Sequence, residues 1–592
     1  MSSFEISRAK DGNDTLAYTS EIKRCFLHSS YYPDKEAREW ANAIEINDES
    51  ILIIYGIGLG YHVNYLLSRL SSNNRLILVE PSNEIFQFAL NNGYYNMFKN
   101  RENICFIVGE ESEEKLNMIL QAYIPWDNFE NVVYKEFKQY PIVFREYYDK
   151  FNKCLLETIN SMRISRNTAL YFAEQWQSNF MENLEFVFRS VPVKSFFDVF
   201  KDIPAVIVSA GPSLDKNIEQ LKEAKGKCVI ICVGTALKAL LQKNIEPDFV
   251  VSIDGGKKNF EHFDGYKVKS PLVYDLTLYP KILKEYDGPL IIAEIASTYT
   301  QLLSDKLSLD FGKLSAGPSV ANLSLDFAYM LGCNPIIFIG QDLAYLNNRT
   351  HASGTTYEKE KIKENPDEKE YIYVEGNYEE KVLTDRVLLS FKTWFENYIY
   401  FHSDRIYINA TEGGALIKGT KIMRFEEAIE LFMKKEINIS VEISSTLKNG
   451  KIKLDKKQIN DFTKEFRDTI KKLEKIKNDC MRAAKLSKKM YNEYQKDVNA
   501  DVSHIVSILD KIDRRLKNSK DSFLYISSIL NVVTTRIIKG FKPEKDETEK
   551  QKRLRIAMMS YALYQGIYEA IKKSEDGLEN LLIKMNNLNN EK

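Results

Sequence analysis

Through the middle of the chain, short unbroken apolar runs alternate with segments whose apolar residues recur every three or four positions. AVIVSAGPSL, Ala205 to Leu214, is such a run; it stops at Gly211-Pro212-Ser213, and Ile218, Leu221 and Ala224 follow at helical spacing. A run of this kind that ends in small turn-forming residues predicts a strand buried on both faces, a tight turn and a helix start. CVIICVGTALKALL, Cys228 to Leu241, repeats the order, and DFVVSIDGG, Asp248 to Gly256, supplies a third strand. Three units in tandem predict a doubly wound α/β sheet. The alternation continues through PLVYDLTLYP, PLIIAEIAST, a helix to Leu331, NPIIFIGQDL, a helix from Asp385 to Tyr400 and RIYINAT, which places a central domain at residues 196–438.

The flanks differ from it and from each other. ILIIYGIGLGYHVNYLL, Ile51 to Leu67, and RLILVEPS, Arg75 to Ser82, predict a separate Rossmann-like α/β domain over residues 1–155. A glycine turn (Gly56, Gly58, Gly60) with an acidic residue, Glu80, at the end of the next strand is the arrangement that binds adenosine in such folds, so a methyltransferase reading follows. The fingerprint is loose and nothing between Pro81 and Lys150 adds a catalytic constellation, which favours a degenerate scaffold. Residues 156–195 are predicted helical, a connector packed on both domains, with Leu170, Ala173, Trp176 and Phe180 on one face. From 439 to 592 only helical spacing remains, as in Phe462, Phe466, Ile470, Leu473 and Ile476, and an all-α bundle with Lys-rich outer faces is expected. Such a bundle serves either as a stabilising appendage or as a grip for a protein partner. Between residues 346 and 382 the sequence is polar and densely charged, without a core pattern, and predicts a long loop of the kind that forms lids or inserts.

Charge narrows the function. Lys plus Arg is 82 and Asp plus Glu is 83, a formal net charge of -1, which argues against a general nucleic-acid or membrane-surface binder. With no apolar stretch of membrane-spanning length and no export signal at the start, a cytoplasmic protein is expected. The 7 cysteines are scattered and form neither a metal-ligand spacing nor a disulfide framework.

In open α/β sheets ligands sit beyond the carboxyl ends of the strands. There the turns carry Ser209, Gly211, Pro212, Ser213, Thr235, Asp254 and Gly255, small or hydrogen-bonding residues close to helix N-termini that favour an anion. Turn and cap chemistry alone would explain one such turn. Three at one sheet edge favour a nucleotide site.

The region also resembles a known family. GPSL, SIDGG, and GQDLAY with a following TH, together with SAGPSVANLSLDFAYMLGCNPIIFIGQDLAY and NATEGGALIKG, are similar to the nucleotide-binding region of the motility-associated factor (Maf) family. These are bacterial flagellin glycosyltransferases with a sialyltransferase-like core, and the resemblance covers the whole length in order. It implies transfer of a nonulosonic acid (pseudaminic, legionaminic or sialic type) from its CMP donor to Ser or Thr of flagellin, for flagellum assembly and motility. It also implies donor contacts from Ser315, Gly317 and Ser319 and a catalytic base at His351, at the root of the polar loop. Asp342 would orient that base or bind sugar hydroxyls, and Gln341 and Tyr345 would contact the sugar or its carboxylate. Neither cofactor nor metal is expected, although Asp254 and Asp342 could pair around a divalent cation if another nucleotide sugar were used. Two further readings stand beside this one: a 6-hydroxymethylpterin pyrophosphokinase using ATP and Mg²⁺ at the same turns, and a flagellin-binding protein without catalysis.

Overall fold

The computed structural model describes every residue except 1–2, 20–23, 99–100, 127, 296–297, 363–370, 545 and 592. The chain divides into two compact units, Met1–Thr168 and Ala169–Lys592, so the boundary expected near 155 lies farther along the same helix, Arg145–Val187.

In the first unit, β1 (Ser3–Arg8), β2 (Asp14–Thr19) and β3 (Arg24–Phe26) form an antiparallel sheet that the apolar pattern did not announce. A parallel sheet follows, made of β4 (Ile51–Tyr55), β5 (Arg75–Glu80), β6 (Ile104–Val108) and β7 (Val132–Glu136) in the order β6-β5-β4-β7. All five residues of β4 are buried, as its unbroken apolar run requires, and the strand delivers the chain into the turn Gly56–Gly60 and the helix Tyr61–Leu67. This is the Rossmann-like architecture read from the sequence.

The second unit is built on nine parallel strands: β8 (Val191–Pro192), β9 (Ala205–Val208), β10 (Val229–Val233), β11 (Phe249–Val251), β12 (Leu272–Tyr274), β13 (Leu290–Ile292), β14 (Ile336–Ile339), β17 (Tyr407–Asn409) and β18 (Lys421–Ile422). A separate hairpin of β15 (Tyr371–Glu375) and β16 (Lys381–Asp385) stands in the segment expected to be loop. The sheet order is β18-β17-β14-β9-β10-β11-β12-β13-β8. Its middle strands are wholly buried between helices on both faces, which explains why they read as unbroken apolar runs rather than alternating ones. The segment read as a connector contributes the edge strand β8.

The helices beyond residue 439 are as predicted in type but not in independence. Lys456–Lys496 and Glu549–Glu591 run antiparallel, with Arg467 bonded to Asn586 at one end and Lys550 to the Gln495 carbonyl at the other. Their buried faces, including Phe462, Phe466, Leu473 and Leu578, belong to the same hydrophobic core as the strands. Buried hydrogen bonds reinforce the join: Gln177 Nε2 donates to Ser574 Oγ at 2.7 Å, and Tyr299 Oη donates to Ser528 Oγ at 2.8 Å. The bundle is therefore part of one packed body with the sheet, and the division expected at 438/439 is not a break in packing. Among the described residues no helix is long and apolar enough to cross a membrane.

Candidate functional site

After β9 the chain builds the sheet outward through β10 to β13, then returns to lay β14 on the other side of β9. Such a reversal opens a crevice at the carboxyl ends of the two strands involved, where ligands of this architecture bind. Here it brings Ser209–Leu214 against Gly340–Tyr345. Gly340 adopts φ +64, and a Cβ on it would lie 2.2 Å from the Ser209 carbonyl oxygen, so only glycine fits. Ser209 Oγ donates to Gln341 Oε1 at 2.6 Å, and the Gln341 amide donates to Thr411 Oγ1 at 3.2 Å.

At the centre lies Asp342, 2% exposed. The Ser213 amide donates to its Oδ2 at 2.9 Å and the Ser213 hydroxyl donates to its Oδ1. A Cβ at Gly211 would come within 2.5 Å of the Asp342 Cγ, so the glycine is what lets the carboxylate approach the turn after Pro212. The sequence reading gave Ser213 to a donor phosphate and Asp342 to His351 or a sugar. In the structure these two side chains face each other, because an unpaired carboxylate in so dry a place would be costly and the helix N-terminus supplies both donors. Burial pushes the Asp342 carboxyl up to about 6, with the Ser213 donors and then Lys216 holding it from rising further.

His351 stands on a segment fastened to the same turn. The Ala352 amide donates to the Ala210 carbonyl at 2.9 Å. Asp215 accepts from the Ser353 amide at 2.8 Å, from Ser353 Oγ at 2.9 Å and from Arg349 at 2.9 Å, while Arg349 also donates to the His351 carbonyl at 3.2 Å. The segment expected as a long loop, a lid or an insert, is anchored over residues 346–362; residues 363–370 lie outside the described residues. The imidazole is half-buried, its Nδ1 is 2.9 Å from Thr350 Oγ1, and its ring lies 5.2 Å from that of Tyr357. Burial lowers its pKa below 6.5, with Glu360 opposing, so it is neutral at pH 7 and able to take up a proton.

The hairpin β15–β16 closes over this edge. The Tyr345 amide donates to the Leu383 carbonyl at 2.8 Å, Thr384 Oγ1 donates to the Leu343 carbonyl at 2.8 Å, and the Asn377 amide donates to the Gly414 carbonyl at 2.9 Å. Tyr345, expected to touch the sugar, donates its hydroxyl to Asp385 at 2.6 Å. The remaining expected residues are dispersed. Thr235 is partly exposed on the first turn of the helix Gly234–Gln242, and Asp254 is exposed and accepts from the Gly256 amide at 2.7 Å. Gly255 is a glycine for packing reasons, since a Cβ there would meet the Thr277 carbonyl oxygen at 2.7 Å and Asn179 and Trp176 at 2.9 Å. In the second Gly-Pro-Ser turn, Ser319 caps its helix by accepting from the Asn322 amide, the Ser315 amide donates to Asp326, and Gly317 lies against Asn322 and Trp394. Those contacts tie the turn to the helix Arg386–Phe401. The carboxylate of Asp254 is held in its own turn and that of Asp342 by Ser213 of the turn after β9, and among the described residues no three His, Cys, Asp or Glu stand together as a metal site.

Sequence reasoning missed the residues that hold this edge in place. Asn179 Nδ2 donates to the Gly255 and Thr277 carbonyls at 3.0 and 2.8 Å, and Asn183 Nδ2 to those of Leu276 and Leu278 at 2.9 and 2.6 Å. Two asparagines one helical turn apart on the apolar face of a helix were a readable signal. Asp215, Arg349, His262 and Tyr357 carried none.

The glycine turn of the first unit is filled by the protein itself. Glu80 is fully buried and its Oε2 accepts from the amides of Ile57 at 3.1 Å and Gly58 at 2.9 Å and from the Tyr140 hydroxyl at 2.9 Å. The Tyr140 ring lies 2.4 Å from where a Gly56 Cβ would be, and His28 Nε2 is 2.3 Å from that of Gly58, accepting from the Leu59 amide at 2.8 Å. Gly60 approaches Met97 and Tyr95 in the same way. Glu80, the carboxylate expected to meet a ribose, is thus bonded to protein donors on its Oε2.

Comparison with known proteins adds to this picture. Residues 10–127 match the family described as Glycosyltransferase Maf N-terminal domain, and residues 178–348 match 6-hydroxymethylpterin diphosphokinase MptE-like. A MAf glycosyltransferase from Magnetospirillum magneticum AMB-1 is similar in structure, with a TM-score of 0.52 and 15% identity over 98% of this chain and 91% of that one. An uncharacterized protein of Treponema pallidum is 25% identical over 252 residues, 41% of this chain and 54% of its own length. The 6-hydroxymethyl-7,8-dihydropterin pyrophosphokinase of Methanocaldococcus jannaschii is 38% identical over 82 residues, 13% of this chain and 32% of its own. The chain spans about half the length of the first of these curated relatives and about a third of the second.

Proposed function

We propose that this chain, whose residues 10–127 match the Maf N-terminal domain and whose fold is that of a MAf glycosyltransferase, transfers a nonulosonic acid from its CMP donor to Ser or Thr hydroxyls of flagellin. The observation that carries the reading is the anchored His351. It is neutral, partly exposed and fastened to the turn after β9 at the switch point of the sheet. In this reaction His351 takes the acceptor hydroxyl's proton as the oxygen bonds to the anomeric carbon, and the bond to the CMP phosphate breaks with its electron pair leaving on CMP. Attack from the face opposite the leaving group inverts the anomeric centre. Because Ser213 is buried against Asp342, the donor contacts fall to the residues of the edge that solvent reaches: Thr235, Asp254, Ser315 and Ser319. The Ser213–Asp342 pair then acts as the fixed floor of the site.

A second reading, an ATP-dependent diphosphokinase, is favoured by the match of residues 178–348. Thermal melting with CMP, with ATP and Mg²⁺, and with neither separates the two. We expect CMP to raise the melting temperature by several degrees and ATP with Mg²⁺ to leave it unchanged; the opposite pattern would transfer the assignment to the diphosphokinase.

A further inference from the structure

His351 is one of three rings in a row. His262 ends the 3-10 turn Lys257–His262 that follows β11, and is 3% exposed. Its Nδ1 is 3.0 Å from Thr356 Oγ1, and its ring meets Tyr357 edge-on at 5.1 Å. Tyr357 packs on His351 at 5.2 Å. The segment after His351 is thus wrapped back onto the turn behind β11, and a residue 89 positions earlier supports the imidazole through one intervening phenol. Charged groups surround the row unevenly: Glu360 faces His351, Lys238 faces His262, and Glu261, Glu360 and Asp254 face Tyr357. An imidazole in a polar loop, bonded to a neighbouring hydroxyl, would otherwise sample several rotamers, and a misplacement of about 1 Å costs a catalytic group on the order of 100-fold.

We propose that His262 is a positioning residue for the transfer reaction, acting through Tyr357 to hold the His351 ring in its working orientation. The inference rests on the reading of His351 as the base, but the orientation it describes can be measured separately. The six histidines of the full chain allow ring-carbon labelling, with the His351 signal assigned from its loss in His351→Gln. In His262→Ala and in Tyr357→Leu the His351 resonance should move and its titration midpoint rise toward 6.5, whereas Tyr357→Phe should leave both in place. In transfer assays His262→Ala should lower kcat by about 10- to 100-fold with KM for the donor unchanged, and His262→Phe, which keeps the ring against Tyr357, should recover most of the loss. A His351 signal indifferent to both His262→Ala and Tyr357→Leu would overturn the proposal, as would an undiminished kcat in a folded His262→Ala protein. If the unaltered protein transfers no sugar, the functional reading fails, and the resonance measurement still decides the positioning claim.

Discussion

The carboxylate of Asp342 accepts from both donors of Ser213 while almost wholly buried, so its ionisation is tied to the integrity of the turn. With its folded pKa raised from 3.8 to about 6, the folded state binds the proton more tightly than the unfolded one. The stability that follows is fully present below 3.8 and is lost as pH rises through about 6, an amount of roughly 3 kcal/mol. Asn at this position has no such titration and lacks one of the two acceptors. Asp342→Asn should therefore be less stable than the native protein at pH 4.5, by urea unfolding, with the gap closing toward pH 7. A gap that is constant with pH would mean that Asp342 is not the buried, hydrogen-bonded group described.

Among the elements, the glycine turn of the first unit shows how a sequence signal and its usual meaning separate. Strand, glycines, helix and a terminal Glu80 are all where the pattern placed them. What closes the turn are His28 and Tyr140, 31 and 60 residues from the groups they meet, and no local pattern encodes such contacts. S-adenosylmethionine or NAD should accordingly leave the melting temperature unchanged, and a shift of several degrees would show the turn to be open. The same contrast runs through the second unit. β9, β10 and β11 were legible because each is an unbroken apolar run stopped by Gly-Pro, Gly-Thr or Asp-Gly-Gly. β8 and β18, at two residues each, are too short to carry a period, and β15–β16 was hidden by the charge density of an edge hairpin with an exposed face. His351 was legible from its place after β14. The partners of its segment were not, since Asp215 lies 134 and 138 residues from the Arg349 and Ser353 it binds, and His262 is on another strand's turn.

At the scale of the whole molecule, the helices beyond 439 read in sequence as a separable domain and prove to share the core of the sheet. Ending the chain at residue 438 would uncover Phe180, Met181 and Tyr299, each buried against that core, and would leave Gln177 without Ser574. Uncovering a large apolar side chain costs about 1.5–3 kcal/mol, so several together are comparable to the roughly 5–15 kcal/mol that holds an ordinary domain folded. The shortened protein should be aggregated or molten, by light scattering and near-ultraviolet circular dichroism; a monomer that unfolds cooperatively would contradict the single core. The central claim is about chemistry on flagellin, and the mass of intact flagellin after incubation with the protein and CMP-pseudaminate, CMP-legionaminate or CMP-sialate tests it most directly. The account predicts an added mass of one nonulosonic acid per modified site with one of these donors, and a rate at least about 100-fold lower in His351→Ala, which keeps the native melting temperature. Unmodified flagellin with all three donors, or full transfer by the alanine variant, would contradict it.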